Sequence, residues 1–463
     1  MRNMKVTTSS ARIVTNAGAA LIGSVLRNGN FYSECQLMGV NSLHPRPIIS
    51  NADVIVAQIG SMCRGNVSYE SINEYTNDEA FYGDALGINY FPSAETLRQR
   101  LDEIAAAKDM GMPWHDDLRN LNINLLLRNN AMFPGLNNGM IPVDGDVTPY
   151  DEGKSHKEGV SRTYKGCDGY APLNMYLGLY GYLINTDFRE GKRHSQCEGT
   201  VDFLIETIDI ANRLVPEKKL LFRLDSGNDA VDNLGAIMDR GHFFIIKRNL
   251  RKETLYGWLE KARQFAPITE EPREGKKVYY GSDWKEISCQ GMGGKKTTRT
   301  VRIVYEVIER TIDKNGQILL FPDVEVSTWW DNTGLSEKDV VELYHQHATM
   351  EQFHSEMKTD MGMEKLPSGK FATNMLIHEL SMIAYNTLRL IGTVMNQAPE
   401  IPMKSEAYRR RIKTVIEHII YTPAQIKTSA RSITIDLGRS NVWAHVYIWI
   451  NKRLKANVAR CCA

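Results

Sequence analysis

The chain has 463 residues, of which 42% are hydrophobic and 24% charged, with a formal net charge of +1. That length exceeds what one hydrophobic core usually serves, so two to four domains are expected in a soluble globular protein. The even charge balance excludes a globally basic chain, and any nucleic-acid surface has to be local. Seven cysteines without a C-x-x-C pair speak against a disulfide framework and a zinc ribbon, and fit a reducing cytoplasm. There is no run of about 18 apolar residues and no apolar signal-peptide core, so the protein is expected to be soluble and intracellular, with no membrane partner.

Residues 1 to about 110 read as short helices. The clearest starts after Pro92 with Ser93 as N-cap and carries an apolar stripe of Leu97, Leu101 and Ile104. Thr96, Arg98, Gln99 and Arg100 surround that stripe, and these residue types near a helix start suit a DNA groove. After about 120 the character changes. Ile141–Val147 reads as a strand ending in a turn, and Gly169–Asn185 as one or two more. Val201–Leu214 is amphipathic and helical, Leu220–Leu224 is a short apolar run ending on Asp225, Ala230–Arg240 is helical, and His242–Arg248 is a buried strand. Such alternation indicates an α/β sheet.

From about 250 to 332 the pattern is β. Runs at Lys277–Trp284, Thr300–Glu309 and Gln317–Thr328 are rich in β-branched and aromatic residues, with turn signals at Gly291–Gly294 and Lys314–Gly316. Helices resume at Ser336, a second N-cap, and continue through Met375–Asn386. The segment Lys404–Arg460 holds 12 Lys or Arg against three acids, Glu406, Glu417 and Asp436. That bias fits a surface facing phosphates or a solvated helical face.

Two aspartates sit at the ends of apolar runs beside turn residues, Asp146 and Asp225. At the lip of an α/β sheet, where ligands gather, they are candidate metal ligands or turn caps. The stretch Tyr344–Lys358, read as one helix with Met350, Phe353 and Met357 buried, lines Tyr344, His347, Glu351 and Lys358 on one face. Glu351 is then the candidate third acid. Three hard oxygen ligands from separate elements suit Mg²⁺ or Mn²⁺. Glu342-x-x-His345 and Glu351-x-x-His354 match the di-iron motif, but both lie on one helix and cannot converge.

The spacing Tyr344-x2-His347-x3-Glu351-x6-Lys358 resembles the Y-R-E-K signature of bacterial insertion-sequence transposases of the DDE type, in the insertion-sequence-4-like superfamily and its 1380-like branch. The Asp146-Val-Thr148 motif, the Arg-Leu-Asp-Ser-Gly around Asp225, the 126 positions from Asp225 to Glu351 and the segment from Pro367 to Asn386 extend the resemblance over most of the chain. It implies an α/β fold with an RNase H-like catalytic core, a mainly β insertion, and helical N-terminal and C-terminal regions. The implied order is a DNA-binding region at 1–115, the first part of the core at 116–249, the insertion at 250–332, the catalytic helix and the rest of the core at 333–400, and a basic region at 401–463.

By that resemblance Asp146, Asp225 and Glu351 carry two Mg²⁺ ions, replaceable by Mn²⁺, for cutting and joining DNA ends. Lys358 and Tyr344 contact phosphates, and Arg98 and Arg100 belong to end recognition. Trp329 and Trp330 are candidates for an aromatic ring that receives a flipped base, or are core. The partners implied are terminal inverted repeats, target DNA and a second copy of the chain in a homodimer, in a bacterial cytoplasm. The family's arginine is His347 here, which makes phosphate contact at that position dependent on pH. Asp144 competes with Asp146 for the first acid, and the Asp-x-Thr pattern selects Asp146. Two other readings are an inactive or domesticated DNA-binding derivative and a metal-dependent nuclease without strand transfer. The intact acids disfavour the first, and end-recognition regions at both termini disfavour the second.

Overall fold

The structure, a computed structural model, describes residues 4–43, 47–112, 114–193, 197–290 and 296–461, without the side chains of 348 and 457–461. The expected turn at Gly291–Gly294, Cys462, and the side chains of Arg460 and Cys461 lie outside the described residues. The chain forms two units, one of residues 1–132, 150–160 and 355–463, the other of 133–149 and 161–354.

The first unit opens with helices α1 (Ala19–Asn28), α2 (Asn51–Met62), α3 (Glu79–Leu86), α4 (Ala94–Ala106) and α5 (Trp114–Arg128). Ser93 caps α4 as its position predicts, its hydroxyl accepting from Thr96 N at 3.2 Å. Leu97, Leu101 and Ile104 are buried, so the apolar stripe faces the core.

The second unit is built on a sheet. Its elements are β1 (Ile141–Val147), β2 (Leu173–Leu177), β3 (Tyr182–Asp187), α6 (Thr200–Leu214), β4 (Leu220–Leu224), α7 (Val231–Asp239), β5 (Phe243–Arg248) and α8 (Leu255–Phe265). A short strand and three long ones follow, β6 (Ile268–Arg273), β7 (Lys276–Gln290), β8 (Lys296–Ile312) and β9 (Ile318–Asp331), then α9 (Glu337–His345) and α10 (Met350–Ser355). Among the described residues these strands make one mixed nine-stranded sheet, ordered β6-β7-β8-β9-β5-β4-β1-β2-β3. β4 runs parallel to both β1 and β5, the pairing that the β4–α7–β5 crossover requires. The other pairs are antiparallel, so the β-rich segment extends the same sheet through β9 beside β5.

The parallel strands β1 and β4 are buried on both faces, which fits their mainly apolar runs, interrupted by Asp144, Gly145 and Asp146 in β1 and by Arg223 in β4. Gly145 interrupts β1 for a packing reason: a Cβ there would lie 2.2 Å from Met175 Sδ and 2.9 Å from Leu224 Cδ2. Ser336 caps α9, accepting from Asp339 N at 3.2 Å. Val340 and Val341 of that helix pack with Leu221, Ile245, Val304 and Trp329 in the core of this unit.

The first unit is completed by α11 (Phe371–Met395), the strands β10 (Ala424–Ser429) and β11 (Ser432–Leu437), and α12 (Ala444–Cys461). Helix α11 is buried almost all round, and its polar side chains find partners: Asn386 donates to Asn122 Oδ1 at 2.8 Å and Thr373 to Asp102 Oδ1 at 2.6 Å. The helical expectation for the C-terminal region is corrected by the β10–β11 hairpin. Ile426, Thr428, Ile433, Thr434 and Ile435 supply β-branched side chains there, and Ile13–Val14 adds a third strand. Among the described residues no helix is long and apolar enough to cross a membrane.

Candidate active site

Strand β1 places Asp144 and Asp146 on one face, two residues apart. The parallel register pairs Asp144 with Arg223 and Gly145 with Leu224. Carried one residue further, it sets Asp146 beside Asp225, at the spacing of about 5 Å between neighbouring strands. The two half-buried acids meet electrostatically. Burial first, and then the charge of Asp225, push the Asp146 carboxyl up to about 7. Asp146 accepts from Val147 N at 2.7 Å, and Asp225 accepts from Asn228 Nδ2 at 2.8 Å.

Asp144 has the opposite character. Burial raises its carboxyl, but Arg223 and His347 outweigh that and hold it below the usual range. Arg223 donates from Nε to Oδ1 at 2.7 Å and from Nη2 to Oδ2 at 2.6 Å, a bidentate pair with side chains 2% and 4% exposed. His347 Nδ1 lies 3.1 Å from the same Oδ1. With its oxygens so occupied, Asp144 has little capacity for a further ligand.

The stretch Tyr344–Lys358 is not the uniform helix expected. α9 ends at His345, Gln346–Thr349 is a 3₁₀ turn, α10 follows, and Glu356–Asp360 is a π-helical turn. Each switch changes the rotation per residue, so the single face drawn at 3.6 residues per turn does not persist. Met350, Phe353 and Met357 are buried as expected. Tyr344 is half-buried, and burial, then Asp225, Asp146 and Asp144, raise its phenol, so its hydroxyl belongs to the acid cluster. Glu351 is exposed on α10. Among the described residues no three His, Cys, Asp or Glu side chains are gathered closely enough to hold a metal ion. Lys358 falls in the first unit, 3.0 Å from Glu364.

Trp329 and Trp330 are 1% and 2% exposed, so neither ring face is open to a base in this structure. Trp330 donates to Asp229 Oδ1 at 2.7 Å, and Trp329 packs in the core near Tyr344. In the first unit Arg98 is paired with Glu95 at 2.6 Å on an exposed helix face. Arg100 is turned inward to Asn51 and Glu103. Part of the C-terminal basic excess is also consumed internally. Arg409 pairs with Glu356 at 2.8 Å and Arg411 with Asp360 at 2.8 Å, while Arg410 is buried.

Two residues with no sequence signal reach the acids. Tyr164 and Lys165 lie exposed on one loop, the ammonium 5.8 Å from the phenol ring centre. Partial burial, then the charges of Asp146 and Asp225, raise the Tyr164 phenol, and Lys165 acts on Asp146 in the stabilising direction. Only the chain's path between strands brings that loop to the sheet's lip.

A family model identifies the chain. The chain belongs to the family described as transposase DDE domain group 1, whose model matches residues 1–459. Among solved structures the chain is similar to the piggyBac transposase in a cryo-EM synaptic complex with hairpin DNA. The identity is 11% and the TM-score 0.42, over 97% of this chain and 87% of that one. No curated protein matches the chain.

Proposed function

We propose that this chain is a cut-and-paste DNA transposase of the insertion-sequence-4-like superfamily, 1380-like branch, acting on terminal inverted repeats and target DNA as a homodimer on an RNase H-like core. The observation that carries the reading is the pairing of Asp146 with Asp225, two carboxylates that repel one another, in a chain whose family match is almost complete. Burial, and then the charge of Asp225, push the Asp146 carboxyl up to about 7, and a bound cation would offset that repulsion. Two hard oxygen donors at the open end of a sheet fit a Mg²⁺ or Mn²⁺ ion, which binds one or two carboxylates and leaves its other positions to water and phosphate. When bound, such ions supply Lewis acidity to the attacking and leaving oxygens.

The chain's own residues would act as follows. Asp146 and Asp225 hold the ions, and Glu351, exposed one turn beyond His347, is the proposed third acid. Tyr344 offers a phenol to a backbone phosphate at the acid cluster, and Lys165 adds positive charge at its rim. His347, with Nδ1 directed at Asp144, keeps Nε2 for a phosphate. Arg98 and Lys358 are proposed phosphate contacts of the first unit. The test is to incubate the protein with a labelled inverted-repeat end and Mg²⁺. Cleavage followed by joining supports the reading, cleavage alone identifies a nuclease, and binding without cleavage identifies a DNA-binding derivative.

A further inference from the structure

We infer that Asp144, Arg223 and His347 form a positioning layer that sets the spacing and direction of the acids above them. The inference rests on the proposed metal-binding role of Asp146 and Asp225. Asp144 stands two residues before Asp146 on β1, and Arg223 two residues before Asp225 at the end of β4. At a period of two, each layer member shares a face with the acid that follows it. His347 stands one turn before Glu351. The three are joined by the bidentate Arg223–Asp144 pair at 2.6 and 2.7 Å and by His347 Nδ1 at 3.1 Å from Asp144.

Arg223 reaches one step further. Its Nη1 donates to Leu343 O at 3.0 Å, in the last turn of α9. Sheet and helix are thereby locked at the residue pair directly below the acids. Such a lock has work to do because Asp146 and Asp225 repel one another. Their own side-chain hydrogen bonds, to Val147 N and Asn228, are local and do not bridge the two strands. A planar guanidinium gripping the neighbouring strand's carboxylate fixes both distance and twist, which a lysine would not. Asp144, Arg223 and His347 are therefore positioning residues, acting through the carboxylates of Asp146 and Asp225.

The test uses the full chain with Mn²⁺ as the probe, following bound ion by electron paramagnetic resonance alongside thermal unfolding and end cleavage. His347→Gln keeps the helix and removes the imidazole. The double variant Asp144→Leu with Arg223→Met replaces a buried ion pair by apolar groups of similar size, a change that commonly preserves stability. Both variants are expected to need about tenfold more Mn²⁺ for half-saturation, about 1.4 kcal/mol. Unfolding should stay near wild type in His347→Gln, and excess Mn²⁺ should recover part of the cleavage. Unchanged Mn²⁺ affinity in folded variants, with or without lost cleavage, overturns the inference. Should the double variant fail to fold, His347→Gln decides alone. Failure of the underlying reading looks different: wild type would bind no Mn²⁺, or Asp146→Asn would bind it as well as wild type.

Discussion

Replacing Asp146 with asparagine should stabilise the metal-free protein at high pH and leave it nearly unchanged at low pH. The folded protein holds this carboxyl at about 7, against 3.8 ordinarily, through burial and the neighbouring Asp225. Because the folded value is raised, the contribution to stability is fully present below about 3.8 and is lost as pH rises through about 7. At 1.36 kcal/mol for each tenfold step in proton affinity, the ceiling on that loss is about 4 kcal/mol. Water at the half-exposed rim and relaxation of the acids reduce it to about 2 kcal/mol. For a unit of roughly 200 residues this corresponds to about 4–8 °C in midpoint. The assay is thermal unfolding of wild type and Asp146→Asn in chelator, from pH 5 to pH 8.5. The variant's advantage should grow from about pH 4 to about pH 7 and hold above that, so it is larger at pH 8.5 than at pH 5, and Mg²⁺ should cancel it by stabilising wild type alone. An advantage of equal size at pH 5 and pH 8.5 would refute the reasoning, since it could not come from an ionised pair.

Three further predictions concern the packing that supports the site. Gly145→Val should destabilise the protein by about 3 kcal/mol or more, because a Cβ there meets Met175 Sδ at 2.2 Å; a urea titration reads this, and a neutral result would mean that β1, β2 and β4 are less tightly packed than they are here. Trp330→Phe should cost about 1–3 kcal/mol by leaving the Asp229 carboxylate without its indole donor, while DNA-end binding measured by gel shift stays within about twofold. Arg389→Met should cost about 1.5–3 kcal/mol, since Glu356, 1% exposed, loses one of its two guanidinium partners and keeps Arg409; an unchanged midpoint in denaturant unfolding would contradict this.

The sequence signals that held are those with local physical causes. Ser93 and Ser336 begin helices because their hydroxyls take up backbone N–H groups that a helix start leaves without partners, which any chain with that pattern would do. The strands around Asp146 and Asp225 show as short apolar runs because both faces are buried. What lay beyond reach depends on register. Whether Asp144 or Asp146 is the more open acid follows from which residue of β4 stands opposite, and Arg223 lies 79 positions away. The change from α to 3₁₀ to π geometry between Tyr344 and Lys358 has no counterpart in the spacing of apolar residues, which fits a uniform helix. Trp329 and Trp330 show the same limit, since tryptophans at a strand end serve as core or as a stacking ring according to what covers them. The hairpin at Ala424–Leu437 carries a local signal in its β-branched run, whereas the basic residues around it fit a surface facing phosphates or a solvated helical face equally well.

The central claim is that Asp146 and Asp225 carry metal-dependent cleavage of DNA ends in this transposase-family chain. The most direct measurement compares wild type, Asp146→Asn and Asp225→Asn on one labelled inverted-repeat end with Mg²⁺, scoring binding by gel shift and cleavage by product length. Both variants should bind the end within about threefold of wild type and lose cleavage by a factor of at least about 10³, about 4 kcal/mol of transition-state stabilisation. Cleavage persisting in either variant would contradict the account, and so would a loss of end binding that runs parallel to the loss of cleavage.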